Sequence, residues 1–204
     1  MNEVTVIFNP DSSLRIMIAA AIVLLLLLVL LISRRRKKTA TIRQLDLCLR
    51  QLKKDEVRSV IIPDGIGGLL EIERLILMDQ GLLVIETYPM SGHLFGAERI
   101  DQWTQIIEGR SFKFANPLRH VHNSKHALQV LAPKVPVFCR VVFTADSDFP
   151  KGKPDEISVL KTFEQDLQPI VAAPLMADKS RQAWKRILRI ARKNGQAVLR
   201  EATS

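Results

Sequence analysis

Two acidic residues and one tyrosine occupy apolar stretches of this 204-residue chain, where such side chains are otherwise disfavoured. Glu73 interrupts the apolar segment 70–78, and Glu86 lies in the apolar segment 82–87 with Tyr88 directly after it. Two carboxylates on neighbouring strands can hold a divalent cation, because Mg²⁺ takes one or two carboxylates together with water and substrate phosphates. The alternative is a pair of solvated strand carboxylates without a ligand, which geometry alone favours.

The elements that must position these side chains are the two strands of a β-hairpin. Residues 79–81, Asp-Gln-Gly, separate the two apolar segments and have the composition of a turn. If the turn centres on its middle residue, Glu73 lies opposite residue 87 and beside Glu86. Side chains alternate along a strand, so Glu86 and Tyr88 share one face. The hairpin is therefore predicted to bring two acids and a tyrosine together.

A helix with three histidines follows further along the chain. Asn116 and Pro117 predict its start, with Asn as the N-cap and Pro at the first helical position, and it continues until the next proline. His120 lies on the flank of the predicted buried arc, whereas His122 and His126 lie on the polar side. The last two are one helical turn apart, a spacing that zinc can use, but no third ligand lies nearby. We therefore expect no zinc site.

The other elements follow from periodicity and from Gly and Pro punctuation. They are a helix over 39–54, strands over 57–62, 135–144 and 157–161, a polar loop over 146–155, and a basic amphipathic helix over 180–193 that Asn194-Gly195 ends. Helices before and after a hairpin with further strands predict an α/β layer fold.

Across residues 40–145 the sequence resembles the nuclease-related domain family, NERD. The resemblance depends on the order of its motifs, which are Ile72-Glu73-Arg74, the turn through Gly81, Val84-Ile85-Glu86-Thr87-Tyr88, Gly92, Gly96, Trp103 and Asn116-Pro117-Leu118-Arg119-His120. The family is similar to the PD-(D/E)XK nucleases. The resemblance thus implies a restriction-endonuclease-like mixed sheet flanked by helices, and a Mg²⁺-dependent phosphodiesterase.

The departures from the family pattern concern the implied catalytic positions. Glu73 stands where the family has a metal-binding Asp, Tyr88 replaces a Lys, and His120 replaces a Gln, while Glu86 is retained. The first helix offers only Asp46 where the family has an acid near the helix start. A neutral tyrosine cannot supply the positive charge of Lys at a phosphoryl transition state. Glu73, Glu86, Tyr88 and His120 are therefore interpreted as vestigial catalytic positions. If the chain is active, Glu73 and Glu86 are the expected metal ligands and Mg²⁺ is the expected cofactor. Otherwise we expect no cofactor.

Residues 16–32 form an uninterrupted apolar segment of 17 residues, about 25 Å long as a helix and at the short end for a bilayer core. Five cationic residues follow it: Arg34, Arg35, Arg36, Lys37 and Lys38. A signal peptide has its positive charge before the apolar stretch, so a transmembrane helix is the better prediction. The positive-inside rule places the N-terminus outside and the rest of the chain in the cytoplasm.

Charge is concentrated at the two ends of the chain, whose net charge is +9. Residues 39–177 carry 16 basic and 17 acidic residues, whereas 178–204 carry eight and two. A basic pI therefore does not by itself indicate nucleic-acid binding. The residues predicted to face away from the apolar arc of the last helix, and to contact an anionic membrane or a phosphate backbone, are Lys185, Arg189, Arg192 and Lys193.

The predicted organisation is an extracytoplasmic tail (1–15), a transmembrane helix (16–32), a basic flank (33–38), a NERD-like domain (39–177) and a basic helix with its tail (178–204). We predict a single-pass protein of the inner (plasma) membrane with a cytoplasmic domain. This domain is predicted to be catalytically degenerate and to act as a nucleic-acid-binding or regulatory module. Its candidate partners are the membrane, nucleic acid and anionic lipid. One alternative is an active, membrane-tethered nuclease that uses Mg²⁺. The other is a protein-interaction scaffold at the membrane without a nucleic-acid role.

Overall fold

The computed structural model describes residues 18, 21, 22, 25, 42–143 and 146–201, with only the backbone given for 192–201. The chain divides into two compact units, Met1–Arg43 and Gln44–Ser204. The described residues between 18 and 25 are helical and exposed. Most of the predicted span over 16–32, and all of the basic flank over 33–38, lie outside the described residues. Among those that are described, no helix is long and apolar enough to cross a membrane.

From residue 42 onward, the described part of the chain has one helix, then six consecutive strands, then strands and helices in turn. In chain order its elements are α1 (residues 42–49), β1 (Asp55–Pro63), β2 (Leu69–Met78), β3 (Gly81–Tyr88), β4 (Gly92–Phe95), β5 (Gln102–Ile107), β6 (Arg110–Ala115), α2 (Leu118–Leu131), β7 (Val137–Phe143), β8 (Ser147–Asp148), β9 (Ile157–Val159), α3 (Phe163–Asp166), α4 (Gln168–Val171) and α5 (Ala177–Glu201).

The larger sheet has the strand order β1-β2-β3-β7-β9. Strands β1, β2 and β3 pair antiparallel, and β3, β7 and β9 pair parallel. Strand β7 is an inner strand, as its run of β-branched residues predicts, and it is buried along most of its length. The mixed α/β fold is confirmed.

A second sheet, with the order β6-β5-β4-β8, was not predicted. Its strands are short and mostly half-buried or exposed, so they lack the apolar runs by which strands are recognised in a sequence. The segment 146–155 was wrongly predicted as loop throughout, because β8 pairs with β4 through Ser147 and Asp148. Short helices α3 and α4 were also missed.

Two hydrophobic cores cover the two faces of the larger sheet. Helices α2 and α5 contribute Val121, Leu128, Trp184 and Ile187 to the first core. Helix α1 and the α3–α4 segment contribute Leu45, Leu49, Phe163 and Ile170 to the second. Every buried residue of both cores lies between positions 45 and 191. Residues 39–204 therefore contain every described residue of both cores, and we expect this fragment to fold by itself.

Two helix boundaries differ from prediction. The first helix ends at residue 49, not at 54, and a turn leads into β1. Helix α5 continues through Asn194 and Gly195 to Glu201. An interior Gly costs only about 1 kcal/mol, and Arg, Lys, Gln, Ala and Leu around it favour the helix. In contrast, α2 spans Leu118–Leu131, close to its prediction.

Candidate functional site: the Glu86–His120 cluster

The hairpin that carries the acids has a tight turn. Met78 pairs with Gly81 and the ladder continues to Arg74 opposite Ile85, so only Asp79 and Gln80 lie in the connection. Two-residue connections are the commonest in hairpins because their twist matches that of the strands. The predicted register, with Glu73 opposite residue 87, is therefore wrong by one residue.

The Glu73 carboxylate is fully engaged by the neighbouring strand. The backbone N–H of Thr87 donates to Oε2 at 2.7 Å, and the Thr87 hydroxyl donates to Oε1 at 2.6 Å. The backbone pairing between β2 and β3 ends at Arg74 and Ile85. Beyond it, the Glu73 side chain connects the two strands through its hydrogen bonds with Thr87. A carboxylate held in this way supports the hairpin and has both oxygens occupied.

Glu86 is the buried acid of the cluster, with a side chain only 12% exposed. Its Oε1 is buried without a hydrogen bond, although Nε2 of His120 lies 3.2 Å away. The imidazole N–H is instead aligned with the Glu71 carbonyl, which accepts from Nε2 at 3.0 Å. Burial raises the pKa of Glu86, the nearby charge of His120 opposes this, and the charges of Glu73 and Glu71 add to it. This side chain therefore pays a desolvation cost when it ionises.

Tyr88 packs beside Glu86 at the end of β3. Its ring lies 5.6 Å from that of Phe143, measured between centroids. Burial raises the pKa of the Tyr88 phenol, and the charges of Glu86 and Glu73 raise it further. The phenol is therefore neutral at physiological pH and supplies no cation to the site.

The position of His120 depends on Asn116, at the entrance to α2. Asn116 is buried, its Oδ1 accepts from the Leu118 N–H at 2.9 Å, and its amide donates to the carbonyls of Glu98 and Ile100. These bonds fasten the preceding loop to the first turn of the helix, as the Asn-Pro pattern predicts. His120 is thereby directed toward β2 and β3, on the flank of the buried arc.

Other predicted site residues have different partners. Asp46 forms ion pairs with Arg74 at 2.6 Å and with Arg58 at 3.3 Å. Its carboxylate is therefore not free to join Glu86 as a metal ligand. His122 pairs with Glu156, and His126 is exposed. Within residues 42–143 and 146–191, no group of three or more His, Cys, Asp or Glu side chains is arranged to hold a metal ion.

A pocket of about 780 Å³ lies on the other flank of α2 and was not anticipated. Lys125 and His122 face it and share Glu156, while Lys153 pairs with Asp166 at 2.9 Å. Hydrogen bonds from His122 and Lys125 outweigh burial and lower the pKa of Glu156. In the sequence, the pocket is indicated only by the Pro-, Gly- and Lys-rich segment 150–156. The composition of this segment does not reveal that it folds against α2.

The cluster lies on a mixed α/β module, with acids on a hairpin and an imidazole on the helix α2 that follows it. The sequence profile of NERD, the nuclease-related domain, matches residues 35–144, which is more than half of the chain. The chain therefore belongs to the nuclease-related domain family. It is also 29% identical over 70 residues to an uncharacterized protein of Bacillus anthracis, a match that covers 34% of this chain and about a third (32%) of that protein's length. No solved structure matches significantly.

The family is PD-(D/E)XK-like, and its active members typically use Mg²⁺. The residues present here fit that ion poorly. Both Glu73 oxygens accept hydrogen bonds from Thr87, and the imidazole of His120 lies beside Oε1 of Glu86, which is buried without a hydrogen bond. Mg²⁺ requires near-ideal octahedral geometry from oxygen ligands, which an imidazole at this distance would disturb.

Proposed function

We propose that this chain is a membrane-anchored NERD-domain protein whose altered site does not cut nucleic acid, and that it acts as a nucleic-acid-binding or regulatory module. The observation that carries the proposal is the engagement of Glu73 by Thr87 together with a neutral Tyr88 at the position of the family lysine. One implied metal ligand is thus occupied, and the implied cation is missing.

The charge balance of the site supports the same proposal. The charges of Glu73 and Glu71 add to burial in raising the pKa of Glu86, so the cluster is acidic. A phosphodiester brings further negative charge, and its transition state requires preorganised positive charge to be stabilised. Without a bound metal, the only basic side chain described in contact with Glu86 is that of His120. Loss of cleavage with retention of the fold is the expected result.

The test uses the purified full-length chain with labelled single- and double-stranded DNA and RNA. We expect no cleavage with Mg²⁺ or Mn²⁺, and we expect Glu86→Ala to have the same baseline. Cleavage that depends on the metal and disappears in Glu86→Ala would contradict the proposal. Nucleic-acid binding is measured in parallel, and affinity should fall with salt because counterions are released from phosphates. Absence of such binding would favour the scaffold alternative.

A second candidate function, an active nuclease with a rebuilt site, is favoured by one observation. Nε2 of His120 lies 3.2 Å from Glu86, and a protonated imidazole in that place supplies part of the charge that a lysine would. In that case activity requires His120. His120→Ala distinguishes the two functions, because it removes activity only in the second.

Anchoring to the inner membrane is also a proposal, supported by the apolar segment 16–32 and the cationic residues 34–38 after it. The full-length chain should remain with membranes after washing with high salt or alkali. Protease added to intact spheroplasts should leave the C-terminal domain uncut, since the N-terminus is outside and the domain is cytoplasmic. Cleavage of the domain from the outside would show that the orientation is reversed.

A further inference from the structure

Helix α5 is attached to the domain by its apolar side. Trp184 and Ile187 are buried, at 4% and 0% exposure, in the same core as α2 and the larger sheet. The indole N–H of Trp184 donates to Oδ2 of Asp55 at 2.8 Å, which fixes the helix against β1. The helix therefore has a defined orientation, and its aromatic residue is not available to insert into a membrane or stack on a base.

The opposite side of α5 presents Lys185, Arg186 and Arg189, which we term the cationic face. All three side chains are exposed, and Lys185 and Arg189 are one helical turn apart. Among the described residues, no carboxylate forms an ion pair with them, whereas Arg181 nearer the helix start pairs with Asp178 at 2.9 Å. Three unpaired like charges on a rigid helix cost electrostatic energy that an anionic surface would relieve.

We propose that the cationic face binds the anionic headgroups of phospholipids at the membrane surface. Two observations favour lipid over nucleic acid as the partner. The chain also contains a predicted transmembrane segment, so a lipid surface is already nearby. Proteins that bind single strands combine positive grooves with exposed aromatic rings, but the Trp184 ring of this helix is buried. The proposal goes beyond the nuclease-related function, and its choice of lipid as the partner rests in part on the proposed membrane anchor.

The burial of the apolar side determines the mode of binding. A helix that inserts into a bilayer uses its apolar face, whereas that face of α5 lies in the core. Contact with lipid is therefore electrostatic and peripheral. It requires anionic lipid, weakens as salt screens the charges, and is absent with neutral lipid.

The test uses fragment 39–204, which contains every described residue of both cores and lacks the predicted span. Sedimentation is measured with vesicles of phosphatidylcholine alone and with vesicles that also contain phosphatidylserine. The fragment should bind only the second kind. The triple variant Lys185→Gln, Arg186→Gln and Arg189→Gln should lose on the order of a hundredfold in partition coefficient, because each cation near an anionic leaflet contributes about a factor of five.

A matched control has the same change in net charge at another surface. Arg110, Lys113 and Lys134 are also exposed, so replacing these three by Gln should leave vesicle binding within about twofold of wild type. Circular dichroism checks that each variant is folded. Each of the three single Gln variants should lose about fivefold in partition coefficient. If the triple variant is unfolded, these single variants test the proposal.

Three results would overturn the proposal. The first is equal binding of wild type and the cationic-face variants to phosphatidylserine vesicles. The second is equal loss in the control variant, which would mean that only net charge matters. The third is binding of duplex DNA through the same three residues by a fragment that ignores the vesicles, which would identify a phosphate backbone as the partner.

Discussion

Nε2 of His120 lies 3.2 Å from Oε1 of Glu86, across the gap between helix α2 and strand β3. The same nitrogen donates to the carbonyl of Glu71, so the ring is held between two strands of the hairpin. This contact links the only implied catalytic acid that the chain retains to the residue that replaces the family Gln. The cluster is therefore a pair formed by a buried acid and a partly exposed imidazole, and the ionisation of Glu86 is open to measurement.

Replacing Glu86 by Gln should stabilise the domain near pH 7 by roughly 1 kcal/mol, since burial penalises the charged carboxylate. The folded-state pKa is raised above 4.5, so the folded protein holds the proton more tightly than the unfolded chain. Wild-type stability falls as the pH rises through this range. The gain from Glu86→Gln should therefore disappear below about pH 4.5. Urea denaturation at several pH values measures the free energy of unfolding of both proteins. A Glu86→Gln variant that is less stable than wild type at pH 7 would contradict the prediction.

Replacing His120 by Ala should raise the pKa of Glu86 further. The positive charge of His120 is the main influence that favours the ionised carboxylate, and burial is then opposed only by backbone contacts. Carboxyl ¹³C NMR of Glu86 measures the shift. His126 lies on the exposed side of the same helix, so His126→Ala is the control and should leave the titration unchanged. An unchanged Glu86 titration in His120→Ala would mean that the two groups do not interact.

Replacing Glu56 by Gln should destabilise the domain by roughly 2 kcal/mol at neutral pH. Glu56 accepts from the buried Arg74 at 2.8 Å and from Lys53 at 2.7 Å. Burial raises the pKa of Glu56, but these two partners and Arg58 outweigh burial and lower that pKa from 4.5 to about 2. The stability that charged Glu56 provides is complete above pH 4.5 and is lost as the pH falls toward 2. The exposed Glu164→Gln is the control, with no expected change.

Replacing Gly96 by Ala should destabilise the domain by roughly 1–3 kcal/mol, because the added methyl group would lie 2.0 Å from the buried ring of Trp103. The indole N–H donates to the Ala97 carbonyl, so the ring cannot move freely away. The smaller ring of Trp103→Phe should reduce the cost of Gly96→Ala. A double-mutant cycle by chemical denaturation measures the coupling, and purely additive effects would rule out this contact as the cause.

Local features of the sequence predict much of the fold. The apolar segments around residues 79–81 predict the hairpin, the Asn116-Pro117 pair predicts the start of α2, and the apolar arc with Trp184 predicts the buried side of α5. These predictions succeed because capping, turn chemistry and amphipathic periodicity act over a few residues. The order of the same motifs carries the family resemblance, which the family match confirms.

The tertiary structure alone decides which side chains meet. The hairpin register, set by a two-residue turn, differs by one residue from the prediction, and the Glu73 carboxylate accepts both of its hydrogen bonds from Thr87. Asp46 pairs with Arg74, which follows Asp46 by 28 positions in the chain. Nothing in local periodicity encodes such contacts, because they depend on how separate elements pack. The sequence by itself thus determined the family, the hairpin, helices α2 and α5 and the identity of the acids, whereas packing decided the second sheet and that Glu86 meets His120 while Glu73 does not.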